Sequence, residues 1–351
     1  MKTSFFSGAS LRSRTLRQHI LTTGVVALTV PMLANLAPAQ AQTLDGAGAT
    51  FPVPIYTKWF DVYAKQTGVK INYQAVGSGA GIKQLKANTV DFAGSDAPLS
   101  NADLAGMPGK VMQIPTVAGS VAIAYNVNGI ASGLKLSGPV LADIFAGNIT
   151  KWNDARITSL NPGKRFPATG IAIAHRADGS GTTNIFTSYL SAVSPNWKAK
   201  VGAGKSVDWP VGLGGKGNDG VAAIIKQGNG TIGYVELAYA MQNRLPVAAL
   251  RNRSGKFVLP SVASTTAAAQ GAAAATNKDP RSPIFNQGGN AYPIAGYTFL
   301  MYYASKTNTP DGKQLTRFLN WAMGPGQKYA AGLMYAPLPK AVVGANKNRL
   351  K

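Results

Sequence analysis

The sequence predicts an α/β fold, and two patterns in it carry that prediction. Short apolar runs typical of buried strands recur along the chain, and segments with the apolar spacing of amphipathic helices lie between them. Strands that alternate with helices usually pair into largely parallel sheets covered by the helices. At 351 residues the chain is long enough for two ordinary domains.

The helices are predicted from apolar residues that share one face. The first surrounds 55–63, where Ile, Tyr, Trp, Phe and Tyr recur at helical spacing. Further helices are predicted after Gly81, over 185–193, and over 311–323, where Gly324 and Pro325 end the pattern.

The strands are predicted from short apolar runs between these helices. They are expected at 71–76, 121–125, 171–174, 231–235 and 295–303. Residues 265–291 are rich in Ala, Thr, Gly and Asn without a regular apolar pattern, so we expect a long loop or a poorly packed excursion there.

The first 41 residues have the layout of a secretory signal peptide. Four basic residues precede an apolar run over 20–36, and Ala39-Gln40-Ala41 supplies a small-x-small cleavage site. A membrane anchor is the alternative, but Pro31 and several polar residues interrupt a run already near the minimum spanning length. We therefore expect an exported protein that starts at residue 42.

The charge of the chain favours an anionic partner. Loss of the four leader cations reduces the formal net charge from +22 to about +18. An adhesin for anionic surfaces is a second interpretation, but the basic residues are dispersed, so no nucleic acid is expected as a partner. The chain has no Cys, and Glu236 is its single Glu, so neither a thiolate metal site nor paired catalytic glutamates are available. We predict no catalytic residue, metal or cofactor.

Three segments share one pattern: glycine, a small hydroxyl residue and then a helix. They are 46–52, 77–81 and 175–183. Thr50 is the expected N-cap of the first helix, and Ser180 and Thr182 are good N-cap types in the third. Each segment alone is also that of an ordinary capped helix. If the three converge, their N–H groups and the Arg176 guanidinium would suit a tetrahedral oxyanion.

Two further features bear on this site. The run 212–220 also precedes a helix and could approach the site, but we interpret it as a structural turn and cap, with Lys216 contributing at long range. Asp96 can accept a hydrogen bond in an anion site if the bound ion still carries a proton. Phosphate carries one near neutral pH, and sulfate does not. An Asx turn before Pro98 is the alternative role for Asp96.

Together these segments closely resemble the periplasmic phosphate-binding proteins of high-affinity phosphate ABC transporters, the PstS family. The resemblance covers most of the mature chain and thins between 265 and 291. It is carried by 43–51, 76–81, 91–100, 176–182 and 212–220, with further similarity at 148–152 and 233–236.

The resemblance implies a two-lobed type II periplasmic binding fold, each lobe a mainly parallel sheet flanked by helices. Lobe I would comprise 42–123 and 294–351, and lobe II 124–293, with hinge crossovers near 121–125 and 292–298. A monomer of this kind would bind inorganic phosphate between the lobes and deliver it to inner-membrane ABC permease subunits.

The resemblance also assigns the site residue by residue. Asp96 would accept the phosphate proton, and Asp178 would pair with Arg176 without touching phosphate. The phosphate-binding set is Thr50, Phe51, Ser78, Asp96, Arg176, Ser180, Gly181 and Thr182. His175 departs from the family pattern, so its role stays open.

Two other functions compete with a phosphate receptor. One is a receptor for another tetrahedral oxyanion such as sulfate, molybdate or arsenate. The other is a phosphate-ester hydrolase, because His175, Asp178 and Ser180 are the residue types of a nucleophilic triad, although their crowding argues against a working geometry.

Overall fold

The computed structural model describes residues 43–350, so the expected signal peptide at 1–41 lies outside the described residues. The strands are β1 (Thr43–Gly48), β2 (Lys70–Ala75), β3 (Phe92–Ser95), β4 (Val111–Asn126), β5 (Lys135–Leu136), β6 (Ala172–Arg176), β7 (Leu213–Gly215), β8 (Thr231–Glu236), β9 (Ala249–Arg251), β10 (Phe257–Val258) and β11 (Ala295–Tyr303).

The α-helices lie between and around these strands. They are α1 (Val53–Thr67), α2 (Ser78–Lys86), α3 (Asn101–Ala105), α4 (Gly138–Phe145), α5 (Ala155–Thr158), α6 (Gly181–Val193), α7 (Pro195–Lys200), α8 (Gly217–Gln227), α9 (Leu237–Gln242), α10 (Val262–Gly271), α11 (Ala273–Lys278), α12 (Pro310–Met323) and α13 (Lys340–Arg349). Short 3₁₀ turns occur at Ala304–Lys306, Pro325–Tyr329 and Ala331–Leu333. None of the helices in the described part of the chain is long and apolar enough to span a membrane.

One sheet of eight strands runs through residues 43–350, in the order β2-β1-β3-β11-β4-β8-β6-β7, and β10, β9 and β5 form a second, small sheet. Parallel pairing joins β1 to β2 and β3 at one end and β6 to β7 and β8 at the other. In the middle, β11 and β4 run antiparallel to their neighbours. The α/β class is confirmed; within the large sheet, parallel pairing is confined to the outer strands, and β5 also pairs in parallel with β9 in the small sheet.

Strand β4 belongs to both ends of this sheet. Its residues 111–120 pair with β11, and its residues 121–126 pair with β8. We call β1, β2, β3, β11 and the first part of β4 the first half of the sheet, and β8, β6, β7 and the last part of β4 the second half. The strand predicted at 121–125 is therefore the end of a much longer strand. The lobe boundaries named above stay a prediction.

Helix α1 anchors the segment that leads into it. Its predicted apolar face is confirmed, because Ile55, Tyr56, Trp59, Phe60 and Tyr63 are all buried. The Trp59 indole N–H also donates to a backbone carbonyl at a distance of 2.7 Å. Burial of one large apolar side chain contributes roughly 1.5–3 kcal/mol. This face therefore fixes the start of α1, and with it the turn at 49–52.

One prediction about an individual segment is wrong, and another is right about the strand but wrong about its burial. The expected loop at 265–291 is helical over much of its length, because α10 and α11 occupy 262–271 and 273–278. Alanine has the highest helix propensity of all residues, and that outweighed the missing apolar stripe. The strand near 71–76 is present as β2, but it is largely exposed because it forms the edge of the sheet.

Candidate functional site

The turns that precede α2 and α6 lie against each other. The Gly181 N–H donates to Ser78 Oγ at 3.0 Å, and the Gly79 N–H donates to the Gly179 carbonyl at 2.8 Å. Each turn follows the carboxyl end of a parallel strand, where loops of an α/β sheet gather. Because α2 follows a strand of the first half and α6 follows a strand of the second, the site lies between the halves.

The structure brings all the predicted anion-binding residues to this place and buries them. Hydrogen bonds connect Thr182 to Asp96 and to Arg176, and Asn218 links Thr182 to Thr50. The buried set is Thr50, Phe51, Ser78, Asp96, Arg176, Ser180, Gly181 and Thr182.

Four backbone donors in this cluster are unpaired. Within residues 43–350, the N–H groups of Thr50, Phe51, Ser78 and Thr182 have no hydrogen-bond acceptor. Each of these residues is at most 5% exposed, so water does not readily replace the missing acceptors. Buried donors without acceptors are costly. Grouped at helix starts, they suit an anion with several acceptor oxygens.

Three hydroxyl groups add hydrogen-bond donors to this set. Thr50 Oγ1 accepts the backbone N–H of Asn218 at 3.1 Å and its side-chain amide at 2.9 Å. Ser78 Oγ accepts the Gly181 N–H, and Ser180 Oγ accepts the backbone N–H three residues later, both at 3.0 Å. Because each oxygen acts as an acceptor toward the protein, its own proton is available to a ligand.

Arg176 is buried and held by a carboxylate. Its Nε donates to Asp178 Oδ1 at 2.7 Å and its Nη2 to Oδ2 at 2.5 Å, while Nη1 lies 3.4 Å from Thr182 Oγ1. Burial opposes ionisation of Asp178, but the hydrogen bonds and charge of Arg176 and the Gly217 N–H outweigh it and lower the pKa of this carboxyl. The pair leaves little net charge, so neutral dipoles provide most of the attraction for an anion.

Asp96 is a buried carboxylate that faces these donors from the first half. Its Oδ1 accepts the Thr298 hydroxyl at 2.9 Å and its Oδ2 accepts the Thr182 hydroxyl at 3.4 Å. Burial raises the pKa of Asp96 from 3.8 to about 7, against the opposing effects of the Thr298 bond and the Arg176 charge. The alternative Asx turn is absent here, because both carboxylate oxygens accept threonine hydroxyls and Pro98, two residues on, has no N–H to donate.

This raised pKa predicts how stability depends on pH. A group whose pKa is higher in the folded than in the unfolded chain stabilises the fold at pH values below both and loses that contribution as pH rises. For ligand-free protein, stability relative to Asp96→Asn should therefore fall between about pH 4 and pH 7. Urea midpoints of both proteins across this range measure it. A constant difference between the two would contradict the raised pKa.

One expectation about the neighbouring turns is wrong and another is incomplete. Thr50 does not cap α1, because Pro52 is the N-cap residue and the Thr50 hydroxyl bonds to Asn218. The run 212–220 is more than a turn, since it contains β7 and the start of α8. Asn218 reaches the site from this run, because it is fully buried and bonds to both Thr50 and Thr182. The long-range contribution of Lys216 stays a prediction.

Sequence reasoning also missed two supporting residues. Thr298 on β11 positions Asp96, and the Tyr234 hydroxyl on β8 accepts the backbone N–H of Arg176 at 3.1 Å. Tyr234 lies in the segment 233–236, which supported the family resemblance without a role. Thr298 lies in the expected second crossover, where only a hinge was predicted.

The structure does not assemble the catalytic triad. His175 Nδ1 lies 3.0 Å from the Arg176 carbonyl, and its ring stacks on Trp209 with ring centroids 4.8 Å apart. Asp178 pairs with Arg176, and Ser180 Oγ serves as a helix cap. Among the described residues, no group of three or more His, Asp or Glu side chains is placed to hold a metal.

Several known proteins similar to this chain are described as phosphate-binding proteins. The family model described as PBP superfamily domain matches residues 34–325. Phosphate-binding protein PstS of Xylella fastidiosa is 47% identical over 87% of this chain and 85% of its own length. The protein of the same name from Haemophilus influenzae is 44% identical over 91% and 96%. Among solved structures, a human phosphate binding apolipoprotein is 26% identical, with a TM-score of 0.68 over 87% of this chain and 93% of its own.

Proposed function

Because the chain belongs to the PBP superfamily and, within it, to the PstS phosphate-binding proteins, we propose that its buried cluster holds one phosphate ion between the two halves of the sheet. The protein is the phosphate-binding substrate receptor of an ABC transporter and not an enzyme. Its fold is that of the type II periplasmic binding proteins. Its transport partner is the ABC permease.

The observation that carries the site assignment is the set of unpaired, buried N–H groups of Thr50, Phe51, Ser78 and Thr182. Together with the Arg176 fork and the hydroxyls of Thr50, Ser78 and Ser180, they supply donors from several directions. A tetrahedral ion with four oxygens can accept from all of them at once. The N–H of Gly181 would join this set by leaving Ser78 Oγ, its present acceptor.

Asp96 makes phosphate the preferred oxyanion. A carboxylate oxygen in the site needs a ligand proton to avoid repulsion, and phosphate carries one near neutral pH while sulfate does not. Arsenate carries a proton as phosphate does, so this argument does not separate the two. Asp178 holds Arg176 and does not contact the ligand.

The predicted lobes, 42–123 with 294–351 and 124–293, would close on the ion by rotation at the two crossovers. Support comes from β4, which pairs with β11 before residue 121 and with β8 after it. We propose that the mature receptor acts as a periplasmic monomer after its leader, 1–41, is removed. Ligand then shifts the population toward the closed form that the permease recognises.

Calorimetric titration of ligand-stripped protein tests this function. Phosphate should give saturable heat with a stoichiometry of one, and sulfate at the same ionic strength should give none. Arsenate should bind, since it shares the proton on which selectivity rests. No heat with phosphate would overturn the proposal, and equal binding of phosphate and sulfate would remove the role of Asp96.

A further inference from the structure

Three consecutive carbonyl groups beside the site each accept a tyrosine hydroxyl. The Tyr73 hydroxyl donates to the Ala49 carbonyl at 2.9 Å. The Tyr239 and Tyr335 hydroxyls donate to the carbonyls of the next two residues, Thr50 and Phe51, both at 2.6 Å. The turn at 49–51 offers the unpaired N–H groups of Thr50 and Phe51 to the site. Three tyrosine side chains therefore hold this turn by its carbonyl groups.

These bonds orient the N–H groups, because the two ends of a peptide unit point in opposite directions. The Ala49 carbonyl shares its peptide unit with the Thr50 N–H, and the Thr50 carbonyl shares its unit with the Phe51 N–H. Tyr73 thus fixes the first donor and Tyr239 the second. The Phe51 carbonyl precedes Pro52, which has no N–H, so Tyr335 directs no donor.

The three tyrosines differ in where they lie. Tyr73 is on β2, which pairs with β1, so its bond to Ala49 stays within the first half. Tyr239 is on α9, which directly follows β8 of the second half. Its bond to Thr50 therefore exists only while the two halves are together.

We propose that Tyr239 is a positioning residue that aims the Phe51 N–H at the ligand and, by the same hydrogen bond, holds the two halves closed. This inference rests on the proposed function. Tyr239 does not touch phosphate, but it would help to slow the release of the ion. Breaking the bond should favour opening of the two halves, so phosphate should dissociate faster. The rate of association with the open form should not change.

The surroundings of Tyr239 keep its hydroxyl a donor and its ring in place. Burial, together with the nearby Glu236 carboxyl, raises the pKa of Tyr239 far above its ordinary value. The ring packs in an apolar cluster with Leu237 and Leu245. Because Glu236 also caps α9, with Oε2 accepting the Ala238 N–H at 2.8 Å, replacement of Tyr239 by Phe should leave the helix intact.

The test compares Tyr239→Phe with Tyr73→Phe, which loses the hydroxyl bond to the Ala49 carbonyl within the first half and none between the halves. Release of radiolabelled phosphate is followed after a chase with excess unlabelled phosphate. One hydrogen bond corresponds to about a three- to ten-fold change in an equilibrium or rate constant. Tyr239→Phe should release phosphate about that much faster with an unchanged association rate. Tyr73→Phe should accelerate release less, because it loses the orientation of one donor but no hydrogen bond between the halves.

Two results would overturn the inference. One is wild-type release from Tyr239→Phe, and the other is equal acceleration in both variants, which would mean that the hydroxyls only support the fold of the turn. If Tyr239→Phe does not fold, Tyr239→Leu also lacks the hydroxyl and gives the same comparison. Failure of the wild type to bind phosphate would instead count against the proposed function.

Discussion

Replacing Asp96 with Asn should reduce the preference for phosphate over sulfate by at least about ten-fold, the equivalent of one hydrogen bond to a charged group. The Asp96 side chain is 3% exposed and faces the donors of the second half through Thr182. An amide cannot repel sulfate as a carboxylate does, and it can donate a proton to a sulfate oxygen. Phosphate affinity should fall while sulfate affinity rises. Competition between the two ions for the stripped protein measures both changes.

Asp219→Asn is the matched control for this substitution. Asp219 is exposed on α8, beside the buried Asn218, so it tests the loss of one negative charge near the site without removing an acceptor in it. Its selectivity should equal that of the wild type. If Asp96→Asn also retained the wild-type ratio of phosphate to sulfate affinity, Asp96 would not be the group that accepts the ligand proton.

Gly181→Ala should weaken phosphate binding by about 100-fold or more, because the two halves could no longer meet. A Cβ at this position would lie 2.6 Å from both the backbone N and the Oδ2 of Asp96. The same methyl group favours helix formation at the start of α6 by up to about 1 kcal/mol. The ligand-free protein should therefore keep its stability while titration with phosphate shows the loss.

Gly344→Ala is the control for replacing a helical glycine with alanine. Gly344 lies inside α13, and a Cβ there would meet no atom within 4 Å. It should bind phosphate as the wild type does. Wild-type affinity in Gly181→Ala would show that the close approach of Gly181 to Asp96 is not needed for binding.

Much of the site could be predicted from local sequence, because its donors lie at helix starts with a recognisable glycine and hydroxyl pattern. Asn218 could not, since its role depends on contact with Thr50, which is 168 residues away along the chain. Thr298 meets Asp96 across an even longer separation of 202 residues. Nothing near either residue indicates such a partner.

The fold shows the same division between local and distant effects. The apolar face of α1 and the strand β11 follow from periodicity within a few residues. The antiparallel pairing of β4 with β11 joins residues more than 170 positions apart, and no local pattern predicts it. Helices α10 and α11 were missed for a different reason, because a search for apolar stripes overlooks a helix that is built mainly from alanine.

A crystal structure of the protein with phosphate tests the central claim most directly. The ion should lie within hydrogen-bond distance of Ser78 and Asp96 on one side and of Arg176 and Thr182 on the other, with one oxygen on the Phe51 N–H. An ion bound to only one half, or bound outside this cluster while the N–H groups of Thr50 and Phe51 stay unpaired, would contradict it.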